Sequence, residues 1–199
     1  MRVFKEEPIE RALLERIIDG ARFAPSAHNS QSTEFVVVQE KAVLKQIVEL
    51  TGEYFAKVVR QLRNPIKRRV LLLFARREVE GAIDFLPELE MLVQAVRGGK
   101  DMILHDAPAV VLFHADRHAG FADVNAGLSL ANAMYVAQGL GLGSFWLGFV
   151  VAACKRDGRI PRLLSIPENH CIYGGLAVGH PRFRYAKWIE RNAPRVRWM

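Results

Sequence analysis

Two stretches of this 199-residue chain combine residue types suited to holding a flat ligand rich in hydrogen-bonding atoms. The first is Ala24-Pro25-Ser26-Ala27-His28-Asn29-Ser30-Gln31, which closes an amphipathic segment and leads to the apolar run Phe35-Val36-Val37-Val38. Its carboxamides, Asn29 and Gln31, each carry a donor and an acceptor side by side. The second is Gly139-Leu140-Gly141-Leu142-Gly143-Ser144-Phe145-Trp146-Leu147-Gly148, which closes a small-residue-rich segment and leads into another apolar run. A glycine such as Gly148, lacking Cβ, lets the backbone approach an aromatic ring closely. Taken singly, each stretch has a plain structural reading, the first as a helix stop with polar turn residues and the second as a helix C-cap. Because the glycines follow a helix and not a strand, they are not a dinucleotide-binding fingerprint.

The elements that would position these stretches can be read from periodicity. Ile9, Leu13, Leu14, Ile17, Ile18 and Ala21 recur at helical spacing, so Pro8 to Phe23 is predicted as a helix, with Glu6 and Glu7 at its positive end and Pro25 stopping it. Glu34 to Gln39 follows as a strand. Ala42 to about Leu62 is a second helix, with Leu44, Ile47, Val48 and Leu50 as its stripe and Gly52 as a potential interruption. From about 63 to 98 the pattern predicts two helices forming an insertion over the core, closed by Gly98-Gly99. Pro108 to His114 reads as a buried strand. Phe121 to Gly139 reads as a helix apolar nearly all round, of the kind that lies inside a protein or along a subunit interface. A short helix at Leu163 to Ile166, a strand at Cys171 to Val178 and an Arg- and aromatic-rich tail from Phe183 complete one domain, residues 1–199. Some strand pairs stand too close for parallel crossovers. The fold class is therefore α+β, with a mixed or antiparallel sheet covered on its faces.

Composition narrows the function classes. Half the residues are hydrophobic and a quarter charged, as in ordinary globular chains. The start has no apolar core of signal-peptide length and no apolar run approaches a bilayer span, so a cytoplasmic setting is expected. Cys154 and Cys171 supply neither a disulfide framework nor a four-ligand metal site, and no metal is expected. The net charge of +7 suits nucleic acid, a membrane surface or an anionic ligand such as a phosphate-bearing cofactor. Between Arg60 and Arg77 apolar residues interleave with the charges, which favours a core-packed amphipathic helix over a nucleic-acid or membrane contact. His28 reads as a surface turn residue, and Trp146 and Trp198 as core or interface.

The order of these features resembles that of the FMN-dependent nitroreductase family over essentially the whole chain. The shared pattern is an Arg-x-Phe-Lys start at Arg2 to Lys5, a first helix ending in Ala-Pro-Ser-x-x-Asn-x-Gln, and a strand. An Asp-Ala-Pro strand from Asp106, an alanine-rich helix, a Gly-Leu-Gly turn and a Gly-x-Leu-x-x-Gly strand at Gly174 to Gly179 follow. The pattern is nearest to the branch with a long helical insertion that ends in Pro-Arg-Val-Arg-Trp, here Pro194 to Trp198. Members of that branch are often fused to a ferredoxin domain. The two cysteines of this chain fall short of the four thiolates of a four-iron cluster.

The resemblance implies FMN as cofactor, an intertwined homodimer and a nitroreductase-like fold. It places Arg2 beside the pyrimidine edge of the flavin and the backbone of Leu147 and Gly148 against N5 and O4. Pro25, Ser26 and Ala27 would pack on the ring from a second subunit, with Asn29 and Gln31 orienting it. Arg191, helped by Lys187, would hold the phosphate, and residues 183–199 would extend onto the partner. Electrons would pass from NAD(P)H to a nitroaromatic, quinone or similar electron-poor acceptor, with no side chain doing acid–base work. Alternatives are a flavoprotein reductase fed by ferredoxin, a non-catalytic flavin-binding protein, and a nucleic-acid-binding protein. Three positions depart from the family. Its Arg-Arg-Ser phosphate grip would fall before Met1, so half the grip is expected to be missing or to lie upstream. Its Gln-Pro-Trp is here Gln31-Ser32-Thr33. Leu147 stands where some relatives carry Glu, which leaves a contact through backbone alone.

Overall fold

A computed structural model describes residues 1–183, 186 and 190–199, the side chain of residue 78 excepted. Four strands, β1 (Glu34–Val38), β2 (Ala109–Asp116), β3 (Gly143–Trp146) and β4 (His170–Gly179), form one sheet in the order β1-β2-β4-β3. Every neighbouring pair is antiparallel, with Val36 opposite Leu112, Val111 opposite Leu176, and Ser144 opposite Val178. The helices among the described residues are α1 (Arg11–Arg22), α2 (Lys41–Arg63), α3 (Pro65–Phe74), α4 (Arg76–Asp84), α5 (Leu86–Arg97), α6 (Ala122–Gly139), α7 (Gly148–Cys154) and α8 (Arg159–Leu163). A single 3-10 turn, Ala27–Asn29, joins α1 to β1. The α+β class is borne out, at the antiparallel end of what was expected.

Alternate residues of the central strands feed two separate cores, as the two-residue period of a strand requires. Val110, Leu112, Ile172 and Ala177 join Leu44 and Ile47 of α2, Leu92 of α5, Val150 of α7 and Ile160 of α8 on one face. Val111, Phe113, Leu176 and Val178 join Leu14 and Ile17 of α1 and Ala126 and Ala133 of α6 on the other. Covered on both sides, β2 is inaccessible to solvent from Ala109 to Phe113, which is why it reads as one unbroken apolar run and not as an alternation.

The helices depart from the sequence-based expectation in four places. Gly52 does not interrupt α2; it sits buried where a Cβ would come within 2.7 Å of Val96 Cγ1, so its smallness lets α2 and α5 approach. The stretch read as two helices holds three. Asn64 accepts hydrogen bonds from the Ile66 and Lys67 amides at 3.0 Å and Pro65 occupies the first helical position, so α2 ends and α3 begins there. Finally, α3 buries none of its side chains: Ile66, Val70, Leu73 and Phe74 are exposed in the single chain, against the expectation of a core-packed amphipathic helix. The short helix expected at Leu163 to Ile166 lies earlier, at Arg159–Leu163.

Helix α6 crosses α1 at Gly20, where a Cβ would lie 2.4 Å from Val136 Cγ2. Val136 is β-branched and stiff about χ1, so it cannot turn aside cheaply. Gly20→Ala should therefore destabilise the fold by about 1–2 kcal/mol even though alanine is the better helix former. In a Val136→Ala background the same substitution should become neutral or stabilising. Denaturant melts of the four proteins read this directly, and equal losses in both backgrounds would show that the crossing is not limited by this contact.

Candidate functional site

The N-terminal segment is laid against the β3 edge by its own backbone. The Met1 ammonium donates to Ser144 O at 3.1 Å, Lys5 N donates to His180 O at 2.9 Å, and Phe4 forms an isolated bridge with Pro181. Phe4 is buried and its ring stacks on Phe145, 6.1 Å between centroids. Gly179 permits this, since a Cβ there would strike the Phe4 ring at 2.5 Å. Two groups converge on Phe145 from outside. The Arg2 guanidinium lies 5.6 Å from its centroid, and His105 meets it edge-on at 5.4 Å. Burial first, and then the nearby Arg2 charge, hold the His105 pKa below its ordinary value, which keeps this imidazole neutral near pH 7.

One residue beyond β3, Leu147 is buried and its amide donates to Gly175 O at 2.8 Å while its carbonyl accepts from Val151 N. Both backbone groups of Leu147 are thus used inside the chain. The Gly148 N–H, in the first turn of α7, is among the donors at this corner that lie outside the helical ladder. The Trp146 ring lies over Gly148, 3.2 Å from where a Cβ would be, and is itself half exposed. The β3 edge therefore carries two neighbouring groups, Arg2 and His105 around Phe145 on one face of the strand, and the Trp146 ring over Gly148 beyond its end.

The polar turn lies elsewhere. His28, Asn29 and Gln31 all take the left-handed conformation, with φ of 54°, 52° and 48°. Non-glycine residues tolerate this region only when their surroundings hold them there. The holding residue is Asn125, buried on α6. Its Oδ1 accepts from Ala27 N at 3.0 Å and its Nδ2 donates to Ser30 Oγ at 3.2 Å. Ser26 Oγ accepts from Gln31 N at 3.0 Å, and Gln31 Nε2 donates to Asn29 Oδ1 at 3.2 Å. A small cleft of about 90 Å³ opens here between Arg22, Pro25, Ser26, Gln31 and Ser129. Pro25, Asn29, Gln31 and His28 are exposed, and Ser26 and Ala27 partly so.

The sequence-derived site residues are thus in two groups that one chain does not unite. Arg2, Leu147 and Gly148 belong to the β3 edge; Pro25, Ser26, Ala27, Asn29 and Gln31 precede β1, the opposite edge of the sheet. Three inter-strand spacings separate these edges, about 14 Å of backbone at the usual strand separation. Arg191 is exposed in the tail, and Lys187 lies outside the described residues. Sequence reasoning missed His105 and Asn125. A carboxamide near the start of an alanine-rich helix was the signal for Asn125, and the residue just before Asp106-Ala107-Pro108 was the signal for His105.

Removing Asn125 leaves the Ala27 amide without its acceptor in a half-buried position, at a cost of about 1–3 kcal/mol. Asn125→Ala should therefore speed hydrogen exchange at the Ala27 amide markedly, whereas Asn125→Asp, which keeps an acceptor oxygen, should preserve most of the protection. Unchanged exchange in Asn125→Ala would mean that the turn is fixed by its own Ser26–Gln31 bond.

Comparison with known proteins agrees with this architecture. The model of the nitroreductase family matches residues 1–180. The FMN reductase [NAD(P)H] of Bacillus subtilis (strain 168) is 27% identical over 187 residues, 94% of this chain and 64% of that protein. The chain thus spans less than two thirds of the length of that relative. A putative NADH dehydrogenase/NAD(P)H nitroreductase of Archaeoglobus fulgidus is 25% identical over 182 residues, 92% of this chain and 80% of the relative. Among solved structures, a nitroreductase with bound FMN from Bacteroides fragilis superposes with a TM-score of 0.72 at 19% identity, covering 98% of this chain and 91% of that one. Sequence family and fold coincide: the chain belongs to the nitroreductase family.

Proposed function

We propose that this protein is a homodimeric, FMN-dependent NAD(P)H oxidoreductase that passes electrons to a nitroaromatic, quinone or similar electron-poor acceptor. The observation that carries the reading is the division of the candidate site between opposite edges of one sheet. Each half is preorganised, and the two meet on one flat ligand only if a second chain supplies the other half. The outward face of α6 supports pairing, since it exposes Val124, Leu128 and Tyr135, as does the tail with Trp198 and Met199 exposed. In the single chain this face is open, so the all-round apolar helix is an interface element as well as a core element.

The residues present fit such a cofactor. Arg2 sets a cation where the pyrimidine edge gains negative charge on reduction, and the site's own aromatic wall keeps water from that charge. The Gly148 N–H supplies a donor beside a backbone that carries no Cβ. From the second chain, Pro25, Ser26 and Ala27 form a wall, while the Asn29–Gln31 pairing presents the remaining amide nitrogen of Asn29 and amide oxygen of Gln31 to the ring. Arg191, with Lys187 four positions before it in sequence, is the cation offered to the phosphate. When bound, FMN supplies a carrier that accepts a hydride at N5 and gives up its electrons to the acceptor. The protein binds, orients and shields.

The purified protein should show flavin absorbance, and anaerobic addition of NADH or NADPH should bleach it. Failure of both nucleotides, with bleaching by dithionite, would replace the pyridine nucleotide by another electron donor. Gly148→Val should empty the site while the chain stays folded, because Trp146 can swing outward from the new side chain; full flavin content in this variant would place the ligand elsewhere. Arg191→Ala should weaken FMN about tenfold or more, in line with loss of one charge-assisted phosphate contact. Riboflavin affinity should hardly change. Equal losses for the two ligands would assign Arg191 to the fold and not to the phosphate.

A further inference from the structure

At the end of the sheet formed by the start of β1, the end of β2 and the start of β4, three side chains with metal-binding atoms converge. Glu34 pairs directly with His114 across β1 and β2. His114 pairs with Ile172 across β2 and β4, and His170 stands two residues before Ile172, on the same face. The Nδ1 atoms of His114 and His170 are 2.9 Å apart, and one donor atom from each of the three residues lies within 4.8 Å of the others. His114 is buried, His170 partly buried and Glu34 exposed.

We propose that Glu34, His114 and His170 bind a divalent transition-metal ion of the zinc type. Two imidazole nitrogens and a carboxylate oxygen are the donor set that borderline ions such as Zn²⁺ prefer over Mg²⁺ or Ca²⁺. Tetrahedral bonds of about 2.0–2.1 Å put two ligand nitrogens about 3.3 Å apart, so the observed pair needs to open by only about 0.4 Å. Glu34 begins an edge strand and is solvent-accessible, which leaves its side chain free to close the remaining gap. Three protein ligands leave a fourth position for water or an incoming group. Cys171, although next to His170, contacts Tyr173 on the opposite face and is not a fourth ligand. Bound metal would clip β1 to β2 and β4, three residues after Gln31, and so would brace the base of the polar turn. The rival arrangement is metal-free: one ring donates its Nδ1–H to the other, which requires opposite tautomers. Metal binding instead requires both Nδ1 atoms unprotonated.

Calorimetric titration of chelator-treated, tag-free, full-length protein with Zn²⁺ separates the two. The proposal expects one ion per chain with Kd of about 10 µM or tighter, and a rise in melting temperature that grows with Zn²⁺ concentration. His170→Ala, at the first residue of β4, should abolish both effects. Glu34→Gln, which keeps the shape but removes the charge, should weaken binding about tenfold or more. His180→Ala should leave binding intact. Replacing Zn²⁺ by Co²⁺ adds an optical readout, a visible ligand-field band of four-coordinate type that His170→Ala should remove. No saturable binding, or binding equal in His170→Ala and the parent protein, would overturn the proposal and leave the two histidines as a hydrogen-bonded pair.

Discussion

The antiparallel ladder between β2 and β4 is the constraint on which the rest of this molecule depends. It sits at the centre of a four-stranded sheet, and its residues face two cores at once, Val110 and Leu112 toward α2 and α5, Val111 and Phe113 toward α1 and α6. Burying both faces of β2 forces β4 to be thin where it is crossed. Gly174 lies where a Cβ would press the Phe113 side chain at 3.3 Å, and Gly175 where it would meet both Leu112 and Leu147 at 3.1 Å. Glycine costs strand stability in isolation, but here it is what lets the covering side chains fill the space. The same Gly175 receives the Leu147 amide and so fixes the corner at which β3 ends and α7 begins.

From this ladder follows the division of the candidate site. With β2 and β4 in the middle, β1 and β3 can only be edges, and each edge carries one prepared surface. On the β3 side an aromatic and cationic cluster gathers on Phe145. On the β1 side a strained polar turn is held by Asn125. Neither surface alone encloses a ligand, and the strain stored in His28, Asn29 and Gln31 has no evident structural use within one chain. In the proposed dimer, a second copy approaching through the exposed face of α6 would give both surfaces a purpose.

Much of the fold was legible in the sequence because the covered strands and amphipathic helices leave strong periodic signals. The run from Pro108 to His114 and the stripe of α1 announce burial directly. What escaped was short, or non-local. Gly143 to Trp146 is only four residues, sits at an edge, and runs without a break in composition into α7, so no period marks it as a strand. Three helices between 65 and 97 became two in the sequence reading because Ala75 carries no breaker signal. The site was legible as motifs but not as geometry. Spacing in the chain does not reveal that Pro25–Gln31 and Gly148 stand on opposite edges, nor that Asn125 organises the first. Glu34, His114 and His170, 80 and 56 positions apart, come together only through strand register, which a single sequence does not specify.

A mixed dimer tests the shared site most directly. One chain carries Gly148→Val and the other Ala27→Trp, each of which should leave its own homodimer without flavin. In the mixed dimer one composite site collects both substitutions, and the other collects neither. Division of the site between two chains therefore predicts one flavin in each mixed dimer, isolated by differential tags and read by absorbance. A mixed dimer as empty as its two parents would contradict it, since a site contained within one chain is damaged in both.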